Sequence, residues 1–184
     1  KSYQLELEDQ EIAVSTINRR LSPVTTALNH LYDEEMIDWV PPRIKQYKES
    51  EGRPWWFTKD EVDELCTITN PRLSQLIRFA ACTGGRVSEL LSVKCKDVDL
   101  EQGLIYFGGR PGFNTKNGDW RSVPVTNPIR DILTERCTDT HPDILIFGDE
   151  WINPTSVRWY FKKACRQIGK ESHYVFHSLR HSFA

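Results

Sequence analysis

The chain has 184 residues, and its 24 Lys and Arg stand against 26 Asp and Glu for a formal net charge of −2. That balance excludes a polycationic protein that coats nucleic acid, and a hydrophobic fraction of 39% with 27% charged residues excludes general disorder. No apolar run approaches the roughly 18 residues of a membrane span, and the opening KSYQLELEDQ lacks the basic-then-apolar pattern of a secretion signal, so the cytoplasm is the expected location and no membrane partner is expected.

In chain order, the first predicted helix starts at Ser15, a good cap, and runs to Ile37 with an apolar stripe of Ile17, Leu21, Val24, Leu28, Leu31 and Ile37. Pro23 should kink or restart it. About forty residues with one or two helices bury no core of their own, so this piece either packs on the rest or belongs to a larger domain. Pro41 to Pro54, PPRIKQYKESEGRP, is polar and proline-bounded and reads as a linker, dividing the chain into 1–42, 43–54 and 55–184.

Thr58 with Glu61 forms a capping box for a helix to about Thr67, and Pro71 opens another, stopped by Thr83-Gly84-Gly85. A short helix, RVSELLSV, follows, then a strand over Leu104 to Phe107. Asn117-Gly118 between extended residues signals a tight β-hairpin. Asn127-Pro128 caps a helix to about Cys137, Asn153-Pro154 begins one that ends at Gly169, and a last helix starts near His177. The predicted class is α+β, mainly α-helical, with a small antiparallel sheet or hairpin.

The near-neutral total conceals a dipole. Residues 1 to 68 hold 14 acidic and 8 basic residues, net −6, whereas 69 to 184 hold 12 acidic and 16 basic, net +4. From Ser156 onward, Arg158, Lys162, Lys163, Arg166, Lys170 and Arg180 meet Glu171 as the sole acid, a candidate positive face.

Three clusters place a cation at a structural break. Arg86 follows a glycine turn and opens a helix, although the same pattern serves an ordinary helix connection with a solvated arginine. Lys116 precedes the Asn-Gly turn with Arg121 across from it, and a lysine at a hairpin tip also serves solubility alone. His177, Arg180 and His181, at i, i+3 and i+4, share a helix face, against the alternative of one core histidine beside a surface arginine. Two arginines, a lysine and a histidine without a carboxylate cluster describe a metal-free, cofactor-free phosphoryl site. Arginine forks hold the nonbridging oxygens, and Lys or His moves a proton. A two-metal nuclease would need converging carboxylates, and Asp97 with Asp99 in KDVDL reads better as a polar turn. A zinc site from His173, His177 and His181, with Cys165 upstream, would require a helix running back through HYVF, whose residues favour strand. The five cysteines are widely spaced without a CxxC pair, which argues against a disulfide framework.

TGGRVSELLSVKCKDVDL, TKNGDWRSVPV and HSLRHSFA, in this order and at these separations, closely resemble the catalytic domain of the tyrosine recombinases, the phage integrase family. The resemblance covers roughly Trp55 to Ala184, and STINRRLSPVTTALNHLYDEEMI is similar to the end of that family's helical core-binding domain, which clamps the other face of DNA. By resemblance, Arg86 and Arg180 hold the scissile phosphate, Lys116 protonates the leaving 5' hydroxyl, and His177 assists proton transfer. Glu89 supports the active-site cations, and His181 belongs to packing of the box. The resemblance also implies a double-stranded DNA attachment site, a homotetramer of the full-length parent on DNA, and DNA-bending or excision accessory proteins. The setting it implies is the nucleoid of a bacterial or phage-infected cell.

The family's nucleophilic tyrosine follows the HxLRH box, and Tyr3, Tyr32, Tyr47, Tyr106, Tyr160 and Tyr174 all precede Arg180. The expectation is therefore a fragment that assembles the cations without the nucleophile. The alternative is a non-catalytic DNA-binding module or regulator whose active site is vestigial. The expected DNA contacts are Arg19 and Arg20 in the helical arm, Arg121 on the hairpin, and Lys162, Lys163 and Arg166 on the penultimate helix.

Overall fold

The computed structural model describes the chain except for residues 1, 11, 50–54, 109–119, 148–152, 171–172 and 184 and the side chains of residues 2, 4 and 8. Two compact units, Lys1–Arg53 and Pro54–Ala184, divide it.

In the first unit, α1 (Ser2–Asp9) precedes α2 (Val14–Asp33). Sequence periodicity did not reveal α1, whose apolar positions are few. The long helix starts from Ala13 without a side-chain cap, so Ser15 is a helical residue and not the expected cap. Pro23 does not interrupt the helix, because Arg19 and Pro23 are both exposed and water can take up the carbonyl that proline leaves unpaired. The helix stops at Asp33, and Glu35 adopts φ 55, so Ile37 lies beyond it.

Leu7, Ile17 and Leu21 form a small buried cluster covered by Ile12, Ile44 and Tyr47. Buried Asn18 pins the segment that composition marks as linker: its amide donates to the Tyr47 carbonyl and the Glu49 carboxylate, and its oxygen accepts the Tyr47 N–H, all at 2.9 Å. Within the stretch read as a linker, Ile44 and Tyr47 are therefore tied to α2, while residues 43, 45, 46, 48 and 49 are exposed.

The second unit opens with α3 (Lys59–Ile68), whose Thr58–Glu61 capping box forms as expected, and α4 (Pro71–Thr83), capped by Asn70. Helix α4 is the axis of the core, with Leu76, Ile77 and Phe79 wholly buried. Gly84 at φ 61 ends it in the left-handed region that a glycine reaches without strain. Helix α5 (Val87–Ser92) and a 3-10 turn (Cys95–Asp97) lead into an antiparallel sheet of order β1 (Val98–Asp99), β2 (Leu104–Phe107) and β3 (Arg121–Pro124). Phe107 stands opposite Arg121 and Leu104 opposite Pro124. The expected Asn117-Gly118 turn and Lys116 lie outside the described residues.

Helix α6 (Asn127–Cys137) is preceded by Thr126 and has no side-chain cap, so Asn127 is not the cap the sequence suggests. Helix α7 (Pro154–Gln167) starts under Asn153, which accepts the Thr155 and Ser156 N–H groups. It buries Val157, Phe161, Ala164 and Cys165 and ends at Gln167, two residues before the expected Gly169. The last element, α8 (Ser178–His181), buries Ser178 and Leu179.

The class is as expected, mainly helical with one small antiparallel sheet. Burial pushes the Cys165 thiol up to about 12, consistent with packing in place of chemistry. No helix among the described residues is long and apolar enough to cross a membrane.

Candidate active site

Arg86 is held by its position between two helices. The chain leaves α4 through Gly84, and Gly85 is buried where an added Cβ would meet the Leu90 side chain, so only glycine lets the backbone pass this close to the core. Arg86 then precedes α5, and Glu89 in the first turn reaches back to it twice: the carboxylate accepts the Arg86 backbone N–H at 3.0 Å and its guanidinium Nη1 at 2.8 Å. The same carboxylate accepts Arg121 Nη2 from β3 at 2.9 Å. Glu89 thus joins two cations from separate elements, and its side chain is 24% exposed against 61% for Arg86. The carboxylate is the enclosed member of the cluster and Arg86 the one open to a ligand.

Arg180 comes to the same turn from α8. Its Nη1 donates to the Gly84 carbonyl at 2.6 Å, and Arg180, Arg121, Gly84 and Phe183 line a hollow of about 380 Å³. His177 stands just before α8, its ring edge to face with His181 at 5.2 Å. Arg86, Ser88, His177, Arg158 and Lys162 line an adjoining cavity of about 490 Å³. The last helix is itself pinned, since Ser178 accepts the Val175 N–H and Ser182 links the Phe57 N–H to the Ser178 carbonyl.

Electrostatics sharpen these roles. Partial burial works to raise the Glu89 carboxyl, but hydrogen bonds from Arg121 and Arg86 outweigh it and hold the group at about 2. Glu89 is an anion at every physiological pH. His177 moves the other way, below its ordinary value, through burial first and then the positive charges of His181, Arg180 and Arg86. A neutral imidazole beside two guanidiniums can accept a proton, or relay one, where an imidazolium could not.

The structure therefore brings together Arg86, Glu89, His177, His181, Arg180 and Arg121, residues spread over about half the chain. Lys162 joins the Arg86–His177 cavity, while Lys163 and Arg166 are exposed elsewhere on α7, with Lys163 Nζ 6.0 Å above the Trp159 ring. Arg19 and Arg20 are exposed on α2 in the first unit. Lys116 lies outside the described residues.

Two features go beyond the sequence reading. Arg158, read only as part of a positive face, lines the cavity one helical turn before Lys162. The Glu89–Arg121 pair depends on the pairing of β2 with β3 and has no sequence signal.

The competing chemistries meet different geometry. His173 stacks on Trp55, with centroids 5.1 Å apart, and α8 begins only at Ser178, so the three histidines do not share a helix. Asp97 accepts the Lys94 N–H and Asp99 the Gln102 N–H, the turn roles read from KDVDL.

The family model described as the phage integrase family matches residues 55–184, the whole stretch that carries this site. The chain belongs to the phage integrase family. Among its relatives, tyrosine recombinase XerA of Thermococcus kodakarensis is 32% identical over 181 residues, covering 91% of this chain and 60% of the relative. Tyrosine recombinase XerC of Roseiflexus sp. is 27% identical over 202 residues, covering all of this chain and 63% of its own length. The chain thus spans about three fifths of these relatives.

Solved integrases share the fold. The Tn1549 transposon integrase in complex with transposon right end DNA superposes with a TM-score of 0.76 at 14% identity, covering 99% of this chain and 69% of that one. A lambda integrase tetramer bound to a Holliday junction superposes at 0.72 with 19% identity, covering 99% and 56%.

Proposed function

We propose that this phage integrase family chain is the DNA-binding and phosphate-activating part of a site-specific tyrosine recombinase. The observation that carries the reading is the convergence of Arg86, Arg180 and a neutral His177 around one turn, opposite a single enclosed carboxylate. That is a site for a phosphodiester. Arg86 and Arg180 hold the nonbridging oxygens and offset the charge that builds as the phosphorus is attacked, His177 handles the proton of the attacking or departing oxygen, and Lys116 protonates the 5' hydroxyl leaving group. The product is a 3'-phosphotyrosyl bond, reversed when a second strand's 5' hydroxyl attacks. No metal or cofactor takes part in these steps, because the arginines supply the positive charge.

In the family pattern the nucleophilic tyrosine follows the HSLRH box. No tyrosine of Lys1–Ala184 stands there, so these residues on their own are expected to bind duplex without forming a covalent bond. The exposed cations Lys162, Lys163 and Arg166, with Arg19 and Arg20, are the proposed contacts to the DNA backbone. The tetramer on a Holliday junction and the DNA complex among the solved structures support a homotetramer of the whole protein on a double-stranded attachment site; accessory proteins and a cytoplasmic setting complete the reading.

The test is strand cleavage by the whole protein on its attachment site. Arg86→Ala and Arg180→Ala should abolish cleavage while duplex binding persists; near-normal cleavage by either would refute the assignment. Binding without cleavage by the unaltered whole protein would favour the reading of a DNA-binding module with a vestigial site.

A further inference from the structure

Arg121 reads from the sequence as a DNA contact on a hairpin. Its surroundings describe a different task. Register sets it directly opposite Phe107, and its guanidinium carbon lies 4.5 Å from the centre of that ring. Phe107 is 2% exposed and packs against Phe79 of the core, so the arginine rests on an immobile surface. Its Nη2 then reaches Glu89, the carboxylate that also holds the backbone and the guanidinium of Arg86. Arg121 is 38% exposed on its side chain, far less than Arg86 at 61%.

We propose that Arg121 is a positioning residue, which acts through Glu89 to fix the guanidinium of Arg86 for the scissile phosphate. The proposal rests on the recombinase reading of the site. Three physical points carry it. A carboxylate bonded to one arginine alone can swing with that side chain, whereas one anchored from a strand on its far side cannot. The strand anchor is itself stacked on a core ring, so the order passes from the sheet through Phe107, Arg121 and Glu89 to Arg86. Finally, the second cation answers a charge requirement: with Arg121 present, Glu89 is shared, and Arg86 keeps donors free for phosphate oxygens.

The experiment is a single-turnover cleavage series on a nicked suicide duplex with the whole protein and its Arg121→Gln, Glu89→Gln and doubly substituted forms, alongside duplex affinity. Arg121→Gln should slow cleavage by about 10²-fold, the cost of misplacing a reacting group, with affinity and its salt dependence unchanged. In the Glu89→Gln background the same change should cost less than about twofold, since the route through Glu89 is already cut. Independent losses that multiply, or a loss of affinity that matches the loss of rate and lowers the salt slope by about 1, would overturn the proposal and make Arg121 a backbone contact.

A second readout does not need cleavage. The Glu89 carboxyl of the whole protein, followed by carbon NMR through an acid titration, should move up towards the ordinary carboxylate range in Arg121→Gln. An unmoved titration overturns the proposal even if the protein cuts no DNA. Absence of cleavage by the unaltered protein, with a moved titration, instead counts against the recombinase reading alone.

Discussion

At the scale of single residues, the site is organised by one anion among many cations. Glu89 is depressed to about 2, so its ion pairs are fully formed above the ordinary carboxylate range and are lost as pH falls from about 4.5 towards 2. The Glu89 carboxyl carbon resonance should hold constant from pH 7 to 5 and move only below that; a carboxyl titration centred at or above about 4.5 would contradict the pairing. His177 is displaced below its ordinary value, through burial first and then the nearby cations, so it is less charged than a free imidazole at the same pH. Any fall in cleavage that follows this imidazole should therefore be centred below pH 6.5, and a fall centred at or above that would show that the imidazole charges normally. Because guanidiniums supply the charge, chelation by EDTA should leave the rate unaltered, and restoration by Mg²⁺ after a loss would refute metal-free chemistry. These residues were legible because each sits at a punctuated break: Arg86 after two glycines, and the histidines and Arg180 at helical spacing. The link between them was not legible, since Glu89 and Arg121 are 32 positions apart and meet only when β3 is paired with β2.

At the scale of elements, α4, α5 and α8 present the site while α7 flanks it. Capping signals for α3 and α7 read correctly because Thr58 and Asn153 each bond a first-turn N–H, a local interaction that sequence encodes directly, and Pro71 opens α4 as expected, under an Asn70 cap that was not read. The failures have one cause: tertiary packing. Helix α1 exists because Leu7 has Ile17 and Leu21 to cover, and the stretch read as a linker is tied back because Asn18 makes two hydrogen bonds to the Tyr47 backbone and one to the Glu49 carboxylate. Asn18→Ala should cost about 1–3 kcal/mol locally, the penalty of unpaired buried groups, seen as faster hydrogen exchange at Tyr47; unchanged exchange would mean the segment is held by Ile44 and Tyr47 alone. On α7, reversing Lys162 and Lys163 to glutamate should weaken duplex binding and lower the slope of log affinity against log salt by roughly 2. An unaltered slope would remove this face from the interface.

At the scale of the whole molecule, the second unit rests on a core that runs from α4 through β2 to α7, with Leu76, Phe79, Ile105 and Phe161 all wholly buried. Leu76→Ala should destabilise it by about 2–5 kcal/mol without touching the site, and a denaturant midpoint that does not move would contradict a packed core there. The net charge of −2 belongs to the whole chain and hides a segment of net +4 from residue 69 onward, so global balance and a local positive charge coexist. In the proposed function, that segment binds one phosphodiester for attack by a tyrosine. The most direct test is incubation of the whole protein with a nicked suicide duplex carrying its attachment site, followed by denaturing electrophoresis and mass mapping. A covalent protein–DNA adduct through a tyrosine beyond Arg180, absent in Arg86→Ala and Arg180→Ala, is the predicted result; tight duplex binding with no adduct from the unaltered whole protein would contradict it.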